Sequence, residues 1–180
     1  MPQKYNIIAT KTNSGEVHIF DYAARHSKPE TYEVKPDLKL VGHTDQGYIF
    51  WDLWKNRFGL CWNPKKAGHI LSGADDSKIC IWDIESGRDG NCVKPYHELM
   101  HHKRAVNDVN WHHFKPEFFG SVSEDREICL WDLREKSNSP IFHLIGHQSE
   151  IFSIDFNPFN EYLFLTGSGD KTVGLWDLRN

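Results

Sequence analysis

Apolar residues in this chain come in short bursts between polar turns, and three of the bursts share one form: Ile79-Cys-Ile-Trp82, Ile128-Cys-Leu-Trp131 and Val173-Gly-Leu-Trp176, each followed by Asp. Runs this short, bounded by turn residues and rich in β-branched and aromatic side chains, read as strands; being apolar on both faces, they read as inner strands packed between neighbours. A second set, Asp37-Leu-Lys-Leu-Val41, Tyr96-His-Glu-Leu-Met100 and Ile141-Phe-His-Leu-Ile145, mixes polar with apolar positions. Such strands suit a partly solvated outer edge. The pattern therefore predicts an all-β chain built of small sheets.

The bursts belong to a repeat. Aligned on Trp82, Trp131 and Trp176, the segments place Asp76, Asp125 and Asp170 six residues earlier and Ser72, Ser121 and Thr166 ten earlier, with His43, His102 and His147 upstream. Successive Trp residues are 49 and then 45 positions apart. From His to Trp the count is 29 in the second and third copies but 39 in the first. Because Gly59-Leu-Cys-Trp62-Asn-Pro64 matches Ser153-Ile-Asp-Phe156-Asn-Pro158, the surplus is an insertion, Ile49 to Phe58. A repeat of this length that opens with Gly-His and closes with Trp-Asp resembles the WD-repeat propeller, whose blades are four-stranded sheets.

That resemblance implies a hydrogen-bonded tetrad of His, Ser or Thr, Asp and Trp in each copy, tying the loop before the first strand to the turn between the second and third. It also divides the chain. Residues 1–41 form a half blade holding its second, third and outer strands, with Phe20 in the Trp position and an exposed loop from 23 to 36. Residues 42–100 are a repeat carrying the insertion 49–58, 101–145 a second repeat, and 146–180 a third without its outer strand. Fourteen strands make about half of a seven-bladed propeller, with raw edges at both ends. The expected explanation is an internal part of a longer protein, and a dimer of half propellers is the alternative.

Several chemistries suggest themselves and fall away. The tetrads imitate a hydrolase triad, but three copies speak for structure, since catalysis needs one exposed nucleophile beside an oxyanion hole. His97, His101, His102, His112 and His113 invite a metal, yet the repeat already explains their strands and loops, so neither metal nor cofactor is expected. Thr166-Gly-Ser-Gly-Asp-Lys-Thr172 glances at a phosphate loop and fails, because Asp170 occupies the position of a required Gly. Cys61, Cys80, Cys92 and Cys129 show no paired spacing, and Cys80 and Cys129 sit two before a Trp, as core thiols in a reducing compartment would. No apolar run is long enough to span a membrane.

Net charge is −4 with no basic stripe, which argues against direct nucleic-acid binding. Acidic residues gather in the turns and loops of one face: Asp45, Asp75, Asp76, Glu124, Asp125, Glu150 and Asp170. A basic peptide is the natural partner of such a face. The insertion, with Phe50, Trp51, Leu53, Trp54 and Phe58, is either a hydrophobic docking loop on this face or translated non-coding sequence, and the second is favoured.

A more specific resemblance runs through nearly the whole chain outside the insertion. Met1-Pro-Gln, Ile8-Ala-Thr-Lys-Thr12, Phe20-Asp-Tyr22, Ser27-Lys-Pro29, Pro36-Asp-Leu38, Gly42-His43, Gly47-Tyr48, Trp62-Asn-Pro64, Gly68-His69, Phe119-Gly-Ser-Val122, Phe156-Asn-Pro158 and Thr166-Gly-Ser together look like the retinoblastoma-associated, MSI-type histone-binding proteins. This resemblance implies a nuclear, non-enzymatic scaffold that holds histones and joins chromatin assembly, modification and remodelling complexes. The family's helix-gripping elements have no counterpart here. Its tail-peptide site maps to Tyr48, Gln46, Asp75, Asn107, Glu124 and Phe152. Gln46 and Asn107 stand where acidic residues are usual, and Phe152 where a polar one is, so weaker tail binding is expected. A rival comes from Trp131-Asp-Leu-Arg134 and Trp176-Asp-Leu-Arg179, which resemble the box by which substrate receptors dock Arg onto the adaptor of cullin ubiquitin ligases.

Overall fold

The computed structural model describes residues 1–12, 14–24, 35–44, 59–86 and 88–179. The insertion 49–58, the peptide-site positions Gln46 and Tyr48, the acidic Asp45 and most of the loop 23–36 lie outside the described residues. Within them the chain is all β, in four small, mainly antiparallel sheets set side by side. The first sheet begins with β1 (Ile7–Lys11), β2 (Val17–Asp21) and β3 (Leu38–Leu40). The second holds β4 (Leu60–Trp62), β5 (His69–Gly73) and β6 (Lys78–Asp83); beyond a hairpin of β7 (Arg88–Asp89) and β8 (Cys92–Val93) it closes with β9 (His97–Met100). The third is β10 (Val106–Trp111), β11 (Phe118–Ser123), β12 (Glu127–Asp132) and β13 (Phe142–Ile145), and the fourth is β14 (Ile151–Phe156), β15 (Leu163–Ser168) and β16 (Val173–Asp177). This is part of a β-propeller: a half blade, two complete blades and a three-stranded blade.

Strand alternation explains how blades stack. In β6, Cys80 and Trp82 turn back to Val17, Ile19, Leu38 and Leu40 of the first sheet, while Ile79 and Ile81 turn forward to Val106, Val109 and Trp111 of the third. In β12, Cys129 and Trp131 face backward, and Ile128 and Leu130 meet Ile151, Ile154 and Phe156 of the fourth sheet. A period-2 strand that is apolar at every position thus serves two seams at once. Burying one such Ile or Leu contributes about 1.5–3 kcal/mol, so each seam is a large share of the stability.

Two features depart from the sequence reading. The strand Val173 to Trp176 has neighbours on one side only, and Leu165, Val173 and Leu175, which correspond to forward-facing positions in the other blades, are exposed. Their pattern is that of an inner strand, but no described residue covers the forward flank of the fourth sheet. The second departure is β7 and β8, which the sequence reading did not contain. They form a hairpin around Gly90-Asn91, with Gly90 at φ 59° in the first loop position, where a II′ turn requires a positive φ. Instead of staying in its own blade, β8 pairs in parallel with β3, extending the first sheet.

Gly59, just before β4, lies where a Cβ would stand 2.9 Å from Asp108 Cα and from Val109 N. Those are backbone atoms of the next blade and have no rotamer by which to yield. Gly59→Ala is therefore expected to destabilise the chain by about 1–3 kcal/mol through overpacking, read as a lower denaturant midpoint with an unchanged m-value.

Candidate functional site

Each tetrad starts at a turn. Ser77, Arg126 and Lys171, the residues after the tetrad Asp, have φ of 63°, 72° and 68°, a left-handed conformation that costs about 1–2 kcal/mol without compensation. The Asp carboxylate supplies the compensation. It accepts the backbone N–H two residues on, from Lys78 at 3.1 Å, Glu127 at 3.0 Å and Thr172 at 2.9 Å. It also accepts the N–H of Thr44, Lys103 or Gln148, at 2.8–2.9 Å, which fixes the loop before the first strand.

The imidazoles complete the link. His43, His102 and His147 each place Nδ1 3.0 Å from the Asp carboxylate and Nε2 2.9, 2.8 and 2.7 Å from Ser72, Ser121 and Thr166. Since the carboxylate can only accept, Nδ1 carries the proton and the hydroxyl donates to Nε2. In the two later blades the hydroxyl in turn accepts the indole N–H, from Trp131 at 2.9 Å and Trp176 at 2.8 Å. The first tetrad is a correction to the sequence reading: Trp82 Nε1 is buried without a hydrogen-bond partner among the described residues. The neighbouring strand differs there too. Trp131 and Trp176 stack at 5.9 Å on Phe119 and Phe164, whereas Trp82 lies opposite Ile70 and lacks that flat support.

These Ser-His-Asp sets have the distances of a triad but not its access. Ser72 and Ser121 are fully buried, and Thr166 nearly so. They hold loops together. Charge follows the same logic: burial raises the Asp125 carboxyl, but the bond and charge of His102 and the two N–H groups outweigh it and hold the group at about 2. Burial lowers His43, against which the Asp76 contact works only in part.

On the face where the tetrad turns open, the sequence-predicted residues separate. Asp75 is exposed, Glu124 half-buried and Phe152 40% exposed. Asn107 and Phe152 occupy the same bulge in β10 and β14, where one extra residue re-aims a side chain. Asn107 nevertheless points into the seam: it is 3% exposed and donates to Ile151 O at 2.6 Å, so its amide ties two blades together. The acidic face is also less acidic than its composition implied. Asp76, Asp125 and Asp170 are engaged in tetrads, and the basic Lys103, Arg126 and Lys171 share the same loops and turns. Sequence reasoning missed Asp108, on the innermost strand beside these turns. It accepts the N–H of Val109 at 2.9 Å and of Ile154 at 3.0 Å, yet burial, with Asp155 nearby, pushes it up to about 6.

Arg134 and Arg179 stand on exposed turns beyond β12 and β16, each with Nε 2.9 Å from Oδ1 of the Asp of its own Trp-Asp pair. Among the histidines, His112 is buried, with Nε2 2.9 Å from Glu161 O and Nδ1 accepting two backbone N–H groups at 3.0 Å, a structural role. His102 belongs to its tetrad, His97 is an exposed residue of β9, and His113 is half-buried beyond β10. The four cysteines are free thiols; Cys80 and Cys129 are buried, and burial pushes the Cys80 thiol up to about 12.

Repeated four-stranded blades, interlocking seams and buried tetrads define a WD-repeat propeller protein. The family described as WD domain, G-beta repeat matches residues 93–132 and 138–177. Each match takes in the outer strand of one blade and the three inner strands of the next. The chain resembles the MSI-type proteins in particular, being 40% identical over 134 residues to WD-40 repeat-containing protein MSI3 of Arabidopsis thaliana. That similarity covers 74% of this chain and 29% of the relative, so the chain spans well under half of it.

The tetrads predict an asymmetry. Ser121→Ala strands both His102 Nε2 and the indole of Trp131, whereas Ser72→Ala strands His43 alone; the first is expected to cost about 1–3 kcal/mol more than the second, measured by denaturant unfolding. Two carboxylates predict opposite pH slopes. Asp125, depressed when folded, stabilises above its free value of 3.8, and that contribution is lost as pH falls toward about 2. Asp108, raised when folded, favours the protein while protonated, and its contribution is lost as pH rises from 3.8 to about 6. Thermal melts across pH 2–7 should show the acid-side loss diminished in Asp125→Asn and the fall between 3.8 and about 6 flattened in Asp108→Asn.

Proposed function

We propose that this chain is a segment of a non-catalytic, histone-binding scaffold subunit of nuclear chromatin complexes. WD repeats indicate protein–protein interaction, and the observation that carries the finer reading is the similarity to MSI3 through most of the chain, together with the motifs quoted above. The burial of the tetrad hydroxyls supports a scaffold over a hydrolase, because a substrate carbonyl has no approach to them. Binding would fall to the face that presents Asp75, Glu124 and Phe152: carboxylates for Lys or Arg and an exposed ring for the stems between them. Asn107, held in the seam, lends no charge there, which agrees with a site weaker than the family's usual one.

The alternative, docking to a cullin-ligase adaptor through Arg134 and Arg179, draws support from their exposure and their identical setting in two blades. One experiment weighs both. Fluorescence anisotropy of labelled histone tail peptides with the full chain is expected to show binding that weakens steeply with salt, and at least about tenfold with Asp75→Lys/Glu124→Lys, a loss of about 1.4 kcal/mol. Arg134→Ala/Arg179→Ala should leave it unchanged. Absence of binding at low salt sinks the histone reading, and capture of the adaptor by the wild type but not by the Arg variant would establish the rival.

A further inference from the structure

At the outer rim of the seam between the second and third sheets, three side chains with metal-binding atoms, His101, Glu127 and Cys129, come together, with His143 beside Glu127. Glu127 and Cys129 lie two apart on β12 and so share a face. His143 stands opposite Cys129 in the β12–β13 register, and His101 enters from the connection between β9 and β10. Glu127 Oε2 is 3.0 Å from His143 Nε2 and 3.9 Å from His101 Nε2. Ligand atoms of His101, Glu127 and Cys129 all lie within 4.8 Å of one another, and the two imidazoles meet edge to face at 5.7 Å.

The carboxylate supplies an independent reason to look for a ligand. Glu127 is only 8% exposed, and its Oε2 makes no hydrogen bond among the described residues although two imidazole nitrogens lie beside it. A buried acceptor left in that state is destabilising, and more so when charged. Ligands held tetrahedrally at about 2.0–2.3 Å stand roughly 3.3–3.8 Å apart, so the 3.9 Å between Glu127 and His101 needs only a small side-chain adjustment to admit an ion. The other oxygen, Oε1, is served by Lys103 at 3.5 Å. His102 and Asp125, also close to Glu127, are consumed by their tetrad.

We propose that His101, Glu127 and Cys129 bind a divalent transition-metal ion of the zinc class, with His143 positioning the Glu127 carboxylate. An imidazole, a carboxylate and a thiol together make a borderline-soft donor set, which disfavours calcium and magnesium with their preference for oxygen. On binding, the Cys129 thiol releases its proton to solvent and its sulfur becomes the third protein ligand, leaving the fourth position to water. The ion would fasten the start of β12 in the third blade to the connection that leaves β9 of the second.

Cobalt(II) and zinc(II) titrations of the full chain, freed of metal by a chelator, test this. Expected are one equivalent of cobalt(II) with a tetrahedral visible spectrum and a thiolate charge-transfer band, a zinc-dependent rise in Tm reversed by the chelator, and loss of the band in Cys129→Ser. His143→Gln, at a half-exposed position that should not disturb folding, is expected to weaken binding by more than about tenfold, a loss that even an outer-shell partner can cause. His113→Gln, at a histidine outside the cluster, should leave it unchanged. No binding by wild type, an octahedral cobalt spectrum, or equal affinity in His143→Gln would overturn the proposal.

Discussion

Strands without a polar face govern this chain. Because β6 and β12 are apolar at successive positions, each must be covered on both sides, and the only cover a small sheet can find is another sheet of the same kind. Blades therefore cannot exist singly, and the repeat in the sequence is a consequence of that demand. The tetrads then answer a second demand, since stacking alone would leave turns and loops loose at one face. They spend left-handed backbone strain in three turns to obtain a carboxylate that fastens two loops at once.

Much of this was legible in advance, and for a physical reason. Short runs of four consecutive apolar residues, ended by Trp-Asp, admit few readings, so the inner strands followed from pattern, while the His–Ser/Thr–Asp links came with the resemblance to WD repeats. What spacing does not carry is orientation. Asn107 and Phe152 hold the same bulge, yet one side chain enters the seam and the other keeps its ring partly in solvent. Trp82 has the repeat's identity at its position but faces Ile70 where its counterparts face Phe, a difference visible only after pairing is known. The hairpin of β7 and β8 escaped because two-residue strands have no periodicity, and Asp108 because its raised pKa depends on burial by a neighbouring blade. Similarly, the Glu127 cluster joins residues from three segments, and nothing local marks them as a set.

For function, the tetrads divide the acidic residues of one face into those that hold the fold and those that remain at the surface. A basic partner sees the second group only, interleaved with lysine and arginine. Under the proposed function, recognition there would rest on placement more than on net charge, and the 40% identity to MSI3 bears more weight than electrostatics does.

The parallel pairing of β8 with β3 has a further meaning. A sheet that ends in its own outer strand presents a bare row of amides and carbonyls to any passing chain. Here that row is occupied by polypeptide on loan from the following blade, so the first sheet cannot open its edge unless the second blade gives up its loop. Fluctuations that would be local in a simple stack become shared between two blades, and amide exchange at β3 should report the motions of residues fifty positions further along the chain.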